Sequence, residues 1–346
     1  MDFLNTAYKN MRSRSTPRSA HLSFVGAVVV SLFSTPVFSI DVSGGVTLSV
    51  TQISKWFGGS SLDLWVYCVE GGSGPGSCTE PTLPGPLLEL GAGAQANITL
   101  TVPAGVGEAP PYDGHTLYFQ GLDLPQAVNG IPETGAGTTG DTYRFSVDTH
   151  YVGGHMYFCH VHTVKHLEMG MYGPMVVRAV DAGGNFLPLI NGAGPAYDVE
   201  WNLVLSTIDP RYHSASGDDT VFASYNPLYF LINGKEGFNH SLPADTLSTR
   251  AGTTVAIRLM GLHSVNATFA VLDSAGVPQT YTLYNVDGFA LNTPLNTTEI
   301  EIAPGQSKDI MITLPATAGV FYPQVVYRSL RNDSRYTTVY TTLTFN

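Results

Sequence analysis

The sequence predicts an all-β protein built from two Greek-key sandwiches in tandem. Gly (37 residues) and Pro (22) are plentiful, whereas charged residues make up only 12% of the chain. Such a composition is typical of short strands separated by turns. Beyond residue 40, no stretch of ten or more residues has a persuasive helical period of apolar positions. The remaining length, about 306 residues, suits two domains of roughly 130 to 150 residues each.

Residues 1–40 predict an export signal. Basic residues come first, residues 22–33 form an apolar run, and small residues near 39–40 offer a cleavage site. The apolar run is short for a membrane span, although an uncleaved N-terminal anchor stays an alternative. We therefore expect a periplasmic or secreted protein without stable membrane insertion after cleavage.

The charge of the exported chain is strongly negative. Without the four basic residues and one acid of the signal segment, 12 Lys and Arg face 26 Asp and Glu. Nucleic-acid binding is disfavoured, because it depends on Lys and Arg that neutralise phosphates. A basic protein partner or a neutral substrate fits this charge better.

Strand-like runs bounded by Gly, Pro or Asn recur along the rest of the chain. They predict one strand-rich domain over 41–180 and a second over 199–346. The intervening residues 181–198 are rich in Gly and Pro and predict a linker.

Two of the three cysteines lie close together. Cys68 and Cys78 flank a Gly/Ser loop, which favours a disulfide across a hairpin in an exported protein. Two free thiols are the alternative. A disulfide there would leave Cys159 without a cysteine partner, and a leftover cysteine in an exported protein should be reactive or bound to a metal.

Cys159 lies in the densest cluster of potential metal ligands. The segment FCHVHTVKHLEMGM (158–171) holds one Cys, three His and two Met. A single thiolate with imidazoles and a thioether is what a mononuclear copper electron-transfer site requires, with two His and the Cys in a plane and a weak axial Met. His115 opens a predicted strand of the same domain and is the best further imidazole.

These motifs resemble those of a known family, the cupredoxin domains of multicopper oxidases and copper nitrite reductases. The blocks that carry the resemblance in the first domain are LPGPLLEL (83–90), HTLYFQGLDLPQAVNGIP (115–132), TYRFSVDTHYVGGHMYFCH (142–160) and HLEMGMYGPMVV (166–177). Fainter ones follow in YFLINGK (229–235), AIRLMGLHS (256–264) and IAPGQSKDIMITLP (302–315). The resemblance implies two tandem cupredoxin-like domains, each a Greek-key β-sandwich or barrel.

Carried over to matching positions, the resemblance implies one type 1 copper held by His115, Cys159, His166 and Met171. The rival equatorial ligand is His162, since Cys-x-x-His occurs in small cupredoxins. We prefer His166, because HLEMGM keeps the family interval between its His and Met.

Departures from the family pattern are equally informative. Family enzymes add a second copper centre, held by a His-x-His pair and by the residue before the cysteine. Here Tyr118 and Gln120 occupy the first positions and Phe158 the last. No His-x-His or His-Cys-His arrangement occurs in the second domain either. We therefore expect no oxygen- or nitrite-reducing centre. A second metal site at His160 and His162 stays an alternative.

Other readings of the same residues stay open. A structural zinc site could use Cys159 with nearby histidines, but adjacent strand residues point to opposite faces, which argues against pairing Cys159 with His160. His150 and His155 flank a Gly-Gly turn and are expected to face solvent. Glu168 is expected on the surface.

The functional prediction is one-electron transfer by an exported type 1 copper protein with a basic redox partner, such as a cytochrome. The alternatives are a multicopper oxidase with a rebuilt second centre, completed for example across an oligomer interface, and a copper-delivery protein.

Overall fold

The computed structural model describes residues 39–71, 77–103, 114–131, 141–214 and 222–346. The predicted export signal up to residue 38 lies outside these ranges, and so does the middle of the Gly/Ser loop between Cys68 and Cys78. Within the described ranges, no helix is both long and apolar enough to cross a membrane.

Eleven strands precede residue 190 in the described chain. They are β1 (Ser39–Asp41), β2 (Val46–Phe57), β3 (Ser60–Glu70), β4 (Cys78–Thr79), β5 (Leu87–Gly91), β6 (Gln95–Thr101), β7 (Tyr118–Gln120), β8 (Asp141–Ser146), β9 (Gly153–Phe158), β10 (Tyr172–Val180) and β11 (Phe186–Leu187). One sheet has the order β1-β5-β10-β9-β7, with β11 at the end of β10, and the other has the order β4-β3-β2-β6-β8. Both sheets contribute to one apolar core.

A second pair of sheets follows along the chain. Its strands are β12 (Val199–Ile208), β13 (Tyr229–Ile232), β14 (Thr246–Thr249), β15 (Thr254–Leu262), β16 (Asn266–Asp273), β17 (Tyr281–Val286), β18 (Phe289–Thr297), β19 (Glu299–Ile302), β20 (Ser307–Thr313), β21 (Gly319–Arg328), β22 (Arg335–Tyr340) and β23 (Thr342–Phe345). The sheet orders are β13-β12-β15-β20-β17-β18 and β14-β23-β21-β16-β19, with β22 beside β21. A separate apolar core lies between them. The all-β prediction is confirmed.

Alternation along the strands explains how the cores form. In β6, Ala96, Ile98 and Leu100 are fully buried, while the intervening polar residues reach the surface of the sheet. This period of two directs one face of the strand into the core. β9 differs, because all six of its residues are buried.

β9 is buried on both faces because a third apolar cluster joins the two halves of the chain. Tyr157 packs into the first core, whereas Met156 and Phe158 belong to the third cluster. We call this cluster the shared core. Its first-half members include Phe57, Leu64, Val66, Leu83, Leu87, Tyr172 and Val176, and its second-half members are Val204, Ile208, Tyr229, Leu231, Met260 and Leu262.

Two short α-helices complete the described elements that position the site. They are α1 (Thr163–Met169) and α2 (Arg211–Ser214). The sequence, which shows no helical period over ten or more residues, gave no indication of α1 between Cys159 and Met171. A helix of seven residues spans only two turns, too few for an apolar period to stand out.

Candidate metal centre

Three of the four predicted ligands converge in the first domain. The Sγ atom of Cys159 lies 3.9 Å from Nδ1 of His115 and 3.1 Å from Nδ1 of His166. The three potential donor atoms all lie within 4.8 Å of one another, and each residue is at most 1% exposed. Among the described residues, this is the one group of three or more His, Cys, Asp or Glu with such geometry.

The hairpin of β9 and β10 brings Cys159 and Met171 together. Phe158 pairs with Tyr172 at the end of the hairpin, and Cys159 N then donates to the carbonyl oxygen of Met171 at 3.1 Å. Met171 is fully buried and belongs to the same apolar core as Cys159. The backbone of the fourth predicted ligand is therefore hydrogen-bonded to that of Cys159.

The C-terminal end of α1 determines how the chain runs from His166 to Met171. Gly170 ends the helix in the left-handed region, with φ of 105°, where a side chain would be strained. Gly170 N donates to the carbonyl oxygens of His166 and Leu167, and Met171 N donates to that of His166 at 3.0 Å. This cap turns the chain at once from the helix into β10.

Thr116 joins the loop of His115 to the cysteine. Its backbone N–H points at Cys159 Sγ, with an N to S distance of 3.5 Å, and its Oγ1 accepts from His160 N at 3.0 Å. The hydroxyl of Tyr67 donates to the Thr116 carbonyl oxygen. Hydrogen bonds of this kind orient the groups around a metal and tune its properties.

Trp65 packs against both imidazoles of the group. Its ring centroid lies 6.2 Å from that of His115 and 5.5 Å from that of His166, with edge-to-face geometry in both cases. The Lys165 Nζ atom lies 5.7 Å from the same indole centroid. Sequence reasoning missed Trp65, since it precedes the ligand segment by about ninety residues and no motif marks it.

Burial controls the protonation of the donors. It lowers the pKa of His166 well below the usual value, and the nearby His115 acts in the same direction. Burial raises the pKa of the Cys159 thiol, although the N–H of Thr116 partly opposes this. The imidazole is therefore ready to bind a metal at neutral pH, while metal binding must displace the thiol proton.

The donor set fits a copper ion. One thiolate and two imidazoles in a dry, apolar surrounding are the equatorial ligands of type 1 sites, which also take a weak axial Met. Cys68 and Cys78 form the predicted disulfide, with a Cα–Cα distance of 5.6 Å, so Cys159 is the free cysteine of the chain.

Two of the three positions that family enzymes use for a second centre, Tyr118 and Phe158, carry aromatic rings, and the third is Gln120. The Tyr118 ring lies 5.2 Å from that of Phe158 and 4.7 Å from that of His160. His162 lies at the start of α1, with its ring 6.0 Å from that of His166, and is not part of the donor group. His160 is not part of it either.

Two expectations about nearby side chains are wrong. His155 is 1% exposed, and its ring nitrogens lie 3.2 Å and 2.7 Å from the carbonyl oxygens of Gln120 and Tyr151. Glu168 is 4% exposed, and burial raises its pKa to about 8 against an opposing hydrogen bond from Asp209 N. Both residues contact segments that are remote in sequence, which the local pattern could not reveal.

Comparisons with known proteins bear on the fold. Residues 209–344 match the family model of the multicopper oxidases. A multicopper oxidase from Pseudomonas thermotolerans is similar in structure, with a TM-score of 0.61 and 19% identity over 89% of this chain. The chain has the cupredoxin-like fold of the multicopper oxidases. The predicted fold class is thereby confirmed.

Further structures with the multicopper oxidase fold differ in length from this chain. The blue copper oxidase of Nitrosomonas europaea has a TM-score of 0.60 and 17% identity, with 89% of this chain and 85% of that chain covered. The multicopper oxidase of Campylobacter jejuni, a metallo-oxidase, has a TM-score of 0.60 and 16% identity over 87% of this chain. This chain spans only 57% of the Campylobacter protein and 64% of the Pseudomonas one. No curated protein matches it in sequence.

Proposed function

We propose that this protein binds one type 1 copper and transfers single electrons. The observation that carries the proposal is the convergence of His115, Cys159 and His166 in a buried site, with Met171 beside the cysteine. Copper bound there supplies a one-electron couple. Thiolate and imidazole donors are the set that such sites use.

The surrounding residues suit rapid electron exchange. The ligands come from the segment before β7, the β9–β10 hairpin and α1. Cys159 and Met171 are part of the first apolar core. A site held by several elements limits movement of its ligands between two oxidation states, and a dry shell restricts solvent access. The N–H of Thr116 directed at Sγ stabilises negative charge on the sulfur.

The proposed partner is a basic redox protein, such as a cytochrome, met outside the cytoplasm in the periplasm or after secretion. The excess of acidic over basic residues supports this choice. Opposite charge accelerates encounter, and the association rate should fall as the salt concentration rises.

An oxidase is the second candidate, and the comparisons favour it over a simple carrier. The matched family and the similar structures are multicopper oxidases. Such an activity needs a further copper centre. Since Tyr118, Gln120 and Phe158 replace the expected ligands, that centre would have to use His160, His162 or residues supplied by another copy of the chain.

Copper counting with spectroscopy and oxygen uptake separates these candidates. One copper per chain, a thiolate charge-transfer band and no oxygen consumption with a phenolic reductant support electron transfer. Three or four coppers with turnover support the oxidase. Ready loss of the metal to an acceptor protein supports copper delivery. A Cys159→Ser variant should lack the band, whereas a Cys68→Ser, Cys78→Ser control should keep it.

A further inference from the structure

Glu168 connects α1, the helix that carries the predicted ligand His166, to the second half of the chain. It lies on α1, between His166 and Met171, and its carboxyl group is buried. Its Oε2 atom accepts a hydrogen bond from Asp209 N at 2.7 Å. Asp209 follows β12 directly, so this contact crosses from one sandwich to the other.

The backbone of Asp209 is itself held firmly. The Asp209 carboxylate accepts from the backbone N–H groups of Arg211 at 3.1 Å and Asn226 at 2.9 Å. The Arg211 guanidinium pairs with the same carboxylate and also donates to the Ser224 carbonyl oxygen at 2.6 Å. The donor that meets Glu168 therefore has a fixed position.

A second contact from the same segment reaches the other side of the site. His213, on α2, has its Nδ1 atom 2.7 Å from the carbonyl oxygen of Asp63. Asp63 lies on β3, two residues before Trp65, whose ring packs against both imidazoles of the donor group. Residues 209–213 thus contact both α1 and the strand that supports the ligand rings.

We propose that residues 209–213 act as a clamp that fixes α1, the helix that carries His166. Glu168 is the positioning residue on α1 through which the clamp acts. This inference rests on the proposed copper site. The clamp assigns a role to the second sandwich: it holds His166 and Met171 in one orientation before the metal binds. Ligand geometry must be kept within about 0.5 Å for a metal site to work well, and supporting hydrogen bonds provide this precision.

Two substitutions at Glu168 test the clamp. Glu168→Gln keeps a carbonyl oxygen that can accept from Asp209 N, whereas Glu168→Leu removes every acceptor and is close in volume. We expect Glu168→Leu to weaken copper affinity by about 10- to 100-fold and to shift the reduction potential and the EPR spectrum. Glu168→Gln should stay close to the parent protein. Equal behaviour of Leu and Gln would overturn the hydrogen-bond assignment.

A control variant separates positioning from general destabilisation. Met260→Ala creates a cavity in the shared core, where Met260 is fully buried. It should lower stability without changing the copper spectrum. If Met260→Ala changes the spectrum as much as Glu168→Leu does, the special role of Glu168 is refuted.

A metal-free measurement keeps the two proposals apart. Hydrogen exchange of the apoprotein should show amides of α1 exchanging about 10-fold faster in Glu168→Leu, with little change in the strands of the second core. His213→Ala, which removes the second contact, should act in the same direction. Unchanged exchange in both variants overturns the clamp, whatever metal the protein binds. A parent protein without a thiolate–copper band, yet with this exchange pattern, would overturn only the proposed function.

Discussion

A largely buried carboxylate between two arginines offers the sharpest stability prediction. Glu200 lies on β12 and is 11% exposed. Its Oε2 accepts from Arg258 Nε at 2.8 Å, and its Oε1 accepts from Arg178 Nη2 at 2.7 Å. Arg178 belongs to β10 of the first sandwich. The substitution Glu200→Gln removes the negative charge while it keeps the shape of the side chain.

The expected loss follows from the charges that stay behind. Arg258 is completely buried, and Asp309 then balances it alone, at 2.8 Å from Nη1. The glutamine must also direct an NH₂ group at one of the arginines. Removal of one partner from a buried ion pair costs about 3–5 kcal/mol, and we expect a value in this range for the free energy of unfolding.

Urea denaturation followed by fluorescence measures this loss. With a slope of about 3 kcal/mol per molar urea, the midpoint should fall by roughly 1 to 1.7 M. Glu299→Gln, at an exposed position on β19, is the matched control and should change stability by less than about 0.5 kcal/mol. A loss below about 1 kcal/mol in Glu200→Gln would show that the buried charges are compensated in another way and would refute the reasoning.

Four further outcomes are expected. Burial lowers the pKa of His263 to about 4. Because this histidine binds its proton near pH 6.5 in the unfolded chain, the free energy of unfolding should fall by up to about 3 kcal/mol as the pH drops from 6.5 to 4. Urea denaturation at a series of pH values should show a weaker pH dependence for His263→Phe. Burial alone would raise the pKa of Glu200, but Arg258 and Arg178 hold it far below the usual 4.5, so its stabilisation should be present above pH 4.5 and lost in stronger acid, which Glu200→Gln should not show. Reduction of the Cys68–Cys78 bond, with a separation of 10 residues, should cost about 3 kcal/mol in thermal unfolding. Cys159→Ser should keep the far-ultraviolet dichroism of the parent but bind copper at least about 10-fold more weakly in competition with a chelator.

Much of the site could be predicted from residues that are close in sequence. Cys159, His166 and Met171 lie within one segment, and their spacing has chemical meaning. The turn at Gly170 and the pairing of β9 with β10 bring these residues into a compact group. His115 could be named because it lies just before a strand of the same domain.

The supporting residues could not be predicted, because their roles depend on packing between distant segments. Trp65 meets the imidazoles only once β3 lies beneath α1. A glutamate such as Glu168 is normally expected at the surface, and its hydrogen-bond partner Asp209 lies on the other sandwich. His155 follows two glycines, a context typical of a turn, yet it lies in a strand that is covered on both sides. Tertiary burial overrides local pattern at each of these positions.

Residue 158, where family enzymes have a copper ligand, lies in the shared core, so a substitution there also affects the stability of the chain. Phe158 precedes Cys159 and, because strand residues alternate, it faces the second sandwich while Tyr157 faces the first core. Any metal ligand introduced at residue 158 would therefore replace an apolar side chain between the sandwiches. A buried imidazole without partners costs about 1–3 kcal/mol, in addition to the lost apolar contacts with Tyr118 and its neighbours. A second copper centre that used residue 158 would thus require a rebuilt interface between the two sandwiches, and a single Phe158→His exchange should destabilise the protein without providing oxygen reduction.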